Sequence, residues 1–250
     1  MRLVRVVTSI LGLTLLFLAA CSEPDTAPPP AAPSPSQDRF LPRRELMVVE
    51  DIEGRGISDP RVLAAMRTVP RHLFVPEKYL SKAYGDTPLP IGRGQTISQP
   101  YIVATMTELM GVAPGDKILE VGTGSGYQAA ILAQMDAEVY SVEIIPALAN
   151  ESRQLLDRLG YQEVRTRTGD GYFGWEEYGP FDAIIVTAAP DHIPPPLLAQ
   201  LKPNGRMIIP VGPQGAVQTL WLAEQRDGEW VFINQGLVRF VPLVGGSGTD

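Results

Sequence analysis

Residues 117–126 read K-I-L-E-V-G-T-G-S-G, an apolar strand-like run at 118–121 that ends directly in Gly122, Gly124 and Gly126. Glycine accepts positive φ and lets the backbone come within contact distance of a ligand. With a helix-like run following at 127–135, the junction reads as a nucleotide-binding turn that includes Thr123 and Ser125. Glu143 closes the next strand pattern, at 138–142, where a carboxylate can accept hydrogen bonds from both hydroxyls of a ribose. Asp170, in Gly169-Asp170-Gly171 after a further strand pattern, can accept from an adenine amino group, and a plain Asp-Gly turn is the rival reading.

The glycine spacing narrows the ligand. A dinucleotide fold prefers G-x-G-x-x-G, but Tyr127 occupies the position of the third glycine. G-x-G-x-G favours S-adenosylmethionine, which has no pyrophosphate to place on a helix N-terminus. A nicotinamide dehydrogenase shares the turn, yet no histidine lies near a loop suited to hydride transfer. The two histidines, His72 and His192, each stand beside a turn, and neither joins cysteines or carboxylates at metal-ligand spacing, so no metal is expected.

Positioning these residues requires an alternation of elements. Leu46, Val49 and Ile52 fall at helical spacing within 43–55, and a short helix at 60–66 follows Ser58 and Asp59, forming an N-terminal helical cap. Residues 84–101 show no helical or alternating period, and a long irregular loop within a domain is usually functional. Helical spacing resumes at 103–110. Strand patterns at 163–168, 181–188 and 206–211 then alternate with helices at 146–159 and 194–201, and 181–188 is apolar enough to be buried on both faces. Patterns at 218–224 and 230–241 have no helix between them, so they should pair antiparallel. The expected fold is α/β: a doubly wound, mostly parallel Rossmann-like sheet with an antiparallel C-terminal edge. Met106, Met110, Tyr161, Trp175 and Trp221 are assigned to packing.

The ends of the chain suggest export. Arg2 and Arg5 precede an uncharged stretch at 6–20, shorter than the roughly 20 residues a spanning helix needs, which stops at Leu18-Ala19-Ala20-Cys21. Residues 1–20 read as a signal peptide, and the site resembles a bacterial lipobox, in which Cys21 is acylated. Cys21 is the only cysteine, so no internal disulfide can form. Seven prolines at 22–42 make residues 21–42 a tether, leaving 43–250 as the domain. Loss of the leader removes two arginines and no acids, taking the formal charge from −7 to −9, a poor match to nucleic acid. The expected location is the periplasmic side of a bacterial membrane, with lipid at Cys21 as the sole membrane contact. The alternative is a cytoplasmic form begun at Met47.

Five stretches together resemble the protein-L-isoaspartate O-methyltransferases: P-L-P-I-G-R-G-Q-T-I-S-Q-P-Y at 88–101, residues 119–127, Gly169-Asp170-Gly171, F-D-A-I-I-V-T-A-A-P at 181–190, and V-R-F-V-P-L at 238–243. The glycine turn alone is common to many methyltransferases; the loop with V-T-A-A-P and R-F-V-P-L is far more specific. The resemblance implies methyl transfer from S-adenosylmethionine to the α-carboxylate of L-isoaspartyl residues in damaged peptides and proteins, which begins their repair. The lipoprotein-type leader departs from the family pattern. Ser98 is then the candidate catalytic residue, holding the substrate carboxylate with help from amides around Thr96 and Ile97. Hydroxyl and N–H donors can hold an anion without a fixed cation that would overstabilise the ground state. The rival is that Thr96 and Ser98 close a turn through local backbone bonds. A monomer is expected, and a non-catalytic module that binds damaged envelope proteins is the alternative function.

Overall fold

The structure is a computed structural model that describes residues 38–226 and 228–245. The leader, Cys21 and tether residues up to 37 lie outside the described residues. Helix α1 (Leu41–Leu46) starts with proline in its first turn, where a missing N–H is harmless. It continues into a π-helical stretch, Met47–Ile52, and a 3-10 turn, Glu53–Arg55. The wider π turn rotates the buried face away from the expected spacing. Met47, Val48 and Ile52 are buried, whereas Leu46 and Val49 are 54% and 51% exposed. Helix α2 (Pro60–Thr68) is capped by Asp59, whose carboxylate accepts the Arg61 N–H at 2.8 Å.

The segment expected to be irregular contains a hairpin. Strand β1 (Leu89–Gly92) pairs antiparallel with β2 (Gln95–Ile97). Arg93 and Gly94 between them sit at φ +52° and +73°, the left-handed pair that a tight hairpin turn demands. An arginine gives no sign of that conformation in sequence. Helix α3 (Pro100–Met110) begins three residues before the predicted start, with Pro100 at its first position.

Strand β3 (Lys117–Val121) leads through the glycine turn to α4 (Tyr127–Gln134), then β4 (Glu138–Glu143), α5 (Pro146–Arg158) and β5 (Arg165–Thr168). The chain next crosses to the other side of β3 to form β6 (Phe181–Val186), α6 (Pro195–Ala199) and β7 (Leu201–Val211). Strands β8 (Gln218–Arg226) and β9 (Glu229–Val238) complete a seven-stranded sheet of order β5-β4-β3-β6-β7-β8-β9. β3 to β7 run parallel, and β8 and β9 are antiparallel, as the alternation predicts.

Helix α6 is shorter than the predicted 194–201 because Leu201 already pairs with Phe181 as strand. Strand β7 begins there, earlier than the predicted 206, and its backbone deviates at Asn204, φ +67°, before continuing to Val211. Strand β9 stops at Val238, short of the predicted 241. The chain instead folds back to bridge Pro242 to Ala189 after β6.

Both faces of the sheet are covered. Ile118, Ala183, Ile185 and Ile208 pack with α2, α3 and α4 on one side, while Leu119, Val121, Ile184, Val186, Met207 and Ile209 form a second cluster. Met106, Met110 and Trp175 are buried, and Tyr161 and Trp221 partly so. The order of strands reverses between β3 and β6, and in open sheets of this type ligands bind beyond the carboxyl ends at that switch.

Candidate functional site

At the end of β3 the chain turns at Gly122, φ +98°, where a Cβ would stand 2.5 Å from Thr187 Oγ1. The Thr187 hydroxyl lies 2.6 Å from the Gly122 carbonyl and 3.0 Å from that of Val121, so it ties the ends of β3 and β6 together. No other residue fits at position 122 without breaking this tie. Thr123 Oγ1 is 2.5 Å from Ser141 Oγ on β4, and Ser125 Oγ accepts the Tyr127 N–H at 3.3 Å. Gly126 immediately precedes α4.

Glu143 is buried at the end of β4. Its Oε2 accepts the Gly124 N–H at 2.9 Å and its Oε1 accepts the Ile145 N–H at 2.9 Å. A carboxylate offers about four lone-pair directions, so about two remain for ligand hydroxyls. Glu143, Gly122, Gly124 and Gly171 line one cavity, closed on its far side by Pro242, Leu243 and Val244 of the returning tail. The Asp170 carboxylate accepts the Tyr172 N–H at 2.9 Å, forming the Asp-Gly turn of the rival reading, with Gly245 packed against it.

A second cavity lies between the β2 segment and the glycine turn. Ile97, Ser98, Glu120, Thr123, Ser125 and Gln128 line it. A larger groove runs outward from Ser98 past Arg55, Tyr101, Leu237, Arg239 and Phe240. Thr96 and Thr187 border all three spaces. Ser98 is partly exposed, and neither its hydroxyl nor that of Thr96 makes a hydrogen bond among the described residues. The local backbone bonds of the turn-closing alternative are therefore not made. The Ser98 carbonyl is held instead by Arg71 Nη2 at 2.7 Å.

Two residues at this junction escape the sequence reading. Thr187 lies in the matched V-T-A-A-P stretch, but its clamp on Gly122 depends on β6 lying beside β3. Glu120 carried a signal that could have found it: a lone acid inside an apolar strand, two residues before the first glycine. It is fully buried, and burial pushes its carboxyl up to about 8. The Ser141 hydroxyl, which donates to Oε2, offsets part of that rise, and the nearby charge of Glu143 adds to it. Among the described residues Oε1 has no hydrogen-bond partner. Among the described residues there is no group of three or more histidine, cysteine or acidic side chains that could hold a metal, and no helix is long and apolar enough to cross a membrane.

The state of Glu120 is measurable. An unfolded chain releases this proton near pH 4.5, whereas the folded protein keeps it until about 8. The folded state thus binds more protons in that window, and its stability falls as pH rises from about 5 to 8. Glu120→Gln cannot ionise and should lose less stability across the same range. Urea midpoints of both proteins at pH 5 and pH 8 check this, and equal declines would contradict a protonated Glu120.

Comparison with known proteins agrees with this geometry. A family model described as Protein-L-isoaspartate(D-aspartate) O-methyltransferase matches residues 43–248. A protein-L-isoaspartate O-methyltransferase 2 from Shewanella sediminis is 52% identical over 215 residues, covering 86% of this chain and 88% of its own. Among solved structures, a protein-L-isoaspartate O-methyltransferase aligns with a TM-score of 0.74 at 32% identity, over 81% of this chain and 66% of that one. A Plasmodium falciparum protein described as a protein-L-isoaspartate O-methyltransferase, in complex with S-adenosyl-L-homocysteine, aligns with a TM-score of 0.69 at 30% identity, over 80% of this chain and 97% of that one. The chain belongs to the protein-L-isoaspartate(D-aspartate) O-methyltransferase family.

Proposed function

We propose that this protein methylates the free α-carboxylate of L-isoaspartyl residues in damaged peptides and proteins, using S-adenosylmethionine. One observation carries the reading: the unbonded hydroxyl of Ser98 lines the same cavity as the glycine turn, with a groove leading outward from it. The residues suit the cofactor. Gly122 and Gly124 present bare backbone to the cavities, Glu143 keeps acceptor sites for ribose hydroxyls, and Oε1 of Glu120, which has no hydrogen-bond partner among the described residues, borders the cavity as a polar contact for an amino-acid head group. When bound, S-adenosylmethionine supplies an electrophilic sulfonium methyl.

The chain's own task is placement. An isoaspartyl carboxyl, with a pKa of about 3.9, is ionised at neutral pH and needs no general base. Ser98 donates to one carboxylate oxygen, backbone N–H groups near Thr96 and Ile97 hold the anion, and the other oxygen is left to face the methyl. Such alignment can lower a barrier by roughly 7 to 11 kcal/mol. Glu143, Gly122, Gly124 and Gly171 act on the cofactor side, with Thr123, Ser125 and Gly126 shaping the turn. Asp170 serves that side through the turn it caps.

The wild-type protein should release S-adenosylhomocysteine with an isoaspartyl peptide and not with its aspartyl isomer. Ser98→Ala should lower kcat by about tenfold or more with little change in donor affinity, whereas Glu143→Ala should mainly weaken donor binding. Steady-state kinetics and calorimetric titration separate the two. Equal effects on both constants in both variants would contradict these roles.

The leader pattern supports a further reading: the protein is exported, acylated at Cys21, and works as a lipid-anchored monomer on the periplasmic side of a bacterial membrane. Mass spectrometry of the native N-terminus should find a diacylglyceryl group on Cys21. A chain beginning at Met47 would place it in the cytoplasm instead.

A further inference from the structure

Arg71 is fully buried, and no carboxylate lies within ion-pair distance of it among the described residues. A buried cation without a close carboxylate is costly, so its hydrogen bonds must hold it. Its contacts are specific. Nε donates to the Ala83 carbonyl at 2.9 Å, Nη2 donates to the Ser98 carbonyl at 2.7 Å, and the guanidinium carbon lies 4.9 Å from the centre of the Tyr127 ring. Nη1 has no partner. These contacts join the segment after β2, at Ser98, to the first residue of α4, directly after Gly126.

We infer that Arg71 is a positioning residue for methyl transfer: its rigid fork sets Ser98, directly after β2, against the glycine turn. The inference rests on the reading of Ser98 as the anchor of the acceptor carboxylate. The fork holds two carbonyls at a fixed separation while its central carbon lies over an aromatic ring. Lysine keeps the charge but has neither the fork nor the plane. A displacement of about 1 Å at a reacting group can cost on the order of a hundredfold in rate, so a clamp on the backbone of Ser98 matters without touching substrate.

The test uses the full chain as wild type, Arg71→Lys, Arg71→Gln, Ser98→Ala and the Arg71→Lys/Ser98→Ala double variant. Folding is checked by near-ultraviolet circular dichroism, S-adenosylhomocysteine affinity by calorimetry, and kcat and KM with an isoaspartyl peptide. Arg71→Lys should keep the affinity within about twofold while kcat/KM falls by about tenfold or more, and Arg71→Gln should lose more. The double variant should be little worse than Ser98→Ala alone, because both changes act through the same hydroxyl. Hydrogen exchange at residues 95–100 should be faster in Arg71→Lys, a readout that needs no substrate.

Parallel losses of affinity and kcat/KM, multiplicative losses in the double variant, or unaltered exchange at 95–100 would overturn the inference. So would failure of Arg71→Lys to fold at any temperature, which would make Arg71 purely structural. An inactive wild type would instead overturn the isoaspartyl reading, and the exchange data would still decide the role of Arg71.

Discussion

The site depends on the carboxylate of Glu143 accepting two backbone N–H groups from two different turns. Gly124 belongs to the turn after β3 and Ile145 to the turn after β4, and both are fixed to the same buried side chain. Backbone bonds extend the sheet one residue past its strand ends in the same region. Gly122 N–H donates to Val142, Gly169 N–H to Glu143 and Thr187 N–H to Val121, at 2.8 to 3.0 Å. Turns that could otherwise splay are therefore held in register with the strands. The donors and acceptors facing the cavities are in place before any ligand arrives, which is the condition for electrostatic stabilisation without reorganisation.

The electrostatics inside the molecule fit the reaction class. An anionic acceptor and a sulfonium donor lose their charges as the new bond forms, so the separated ions need solvation more than the transition state does. A cavity lined by hydroxyls and amides favours that change over bulk water. A fixed cation beside the acceptor would work against it by holding the carboxylate as an anion. The buried groups are consistent with this. Glu120 is kept neutral by burial, and Arg71 spends its hydrogen bonds on two backbone carbonyls, away from the cavity wall.

Short-range signals made part of this legible. The glycine turn, Glu143 at the end of β4 and the loop containing Ser98 each occupy a few consecutive residues whose types limit the backbone directly. The parallel order followed from helices between strands, and the antiparallel edge from their absence. What escaped depends on residues distant in sequence. Arg93 adopts a left-handed conformation because a hairpin closes there, and nothing in its type announces it. The π turn at Met47–Ile52 moves Leu46 and Val49 outward, a rotation that a 3.6-residue period cannot anticipate. Thr187 matters only because β6 lies beside β3, and Arg71 only because the Ser98 carbonyl and the Tyr127 ring both reach it across the fold.

The C-terminal tail shows how one short segment can serve two spaces. After β9 ends at Val238 the chain folds back over the sheet, with Ala189 N–H donating to the Val241 carbonyl and Leu243 N–H to the Ala189 carbonyl, at 2.8 and 2.9 Å. Leu237, Arg239 and Phe240 face the outer groove, while Pro242 and Leu243 face the cavity containing Glu143, and Val241 borders both. The segment is thus a partition between the two spaces. Its attachment to Ala189 places it one residue beyond Ala188 and two beyond Thr187, which clamps Gly122. That common support explains why R-F-V-P-L and V-T-A-A-P, far apart in sequence, are read together: each fixes the wall against which the other is set.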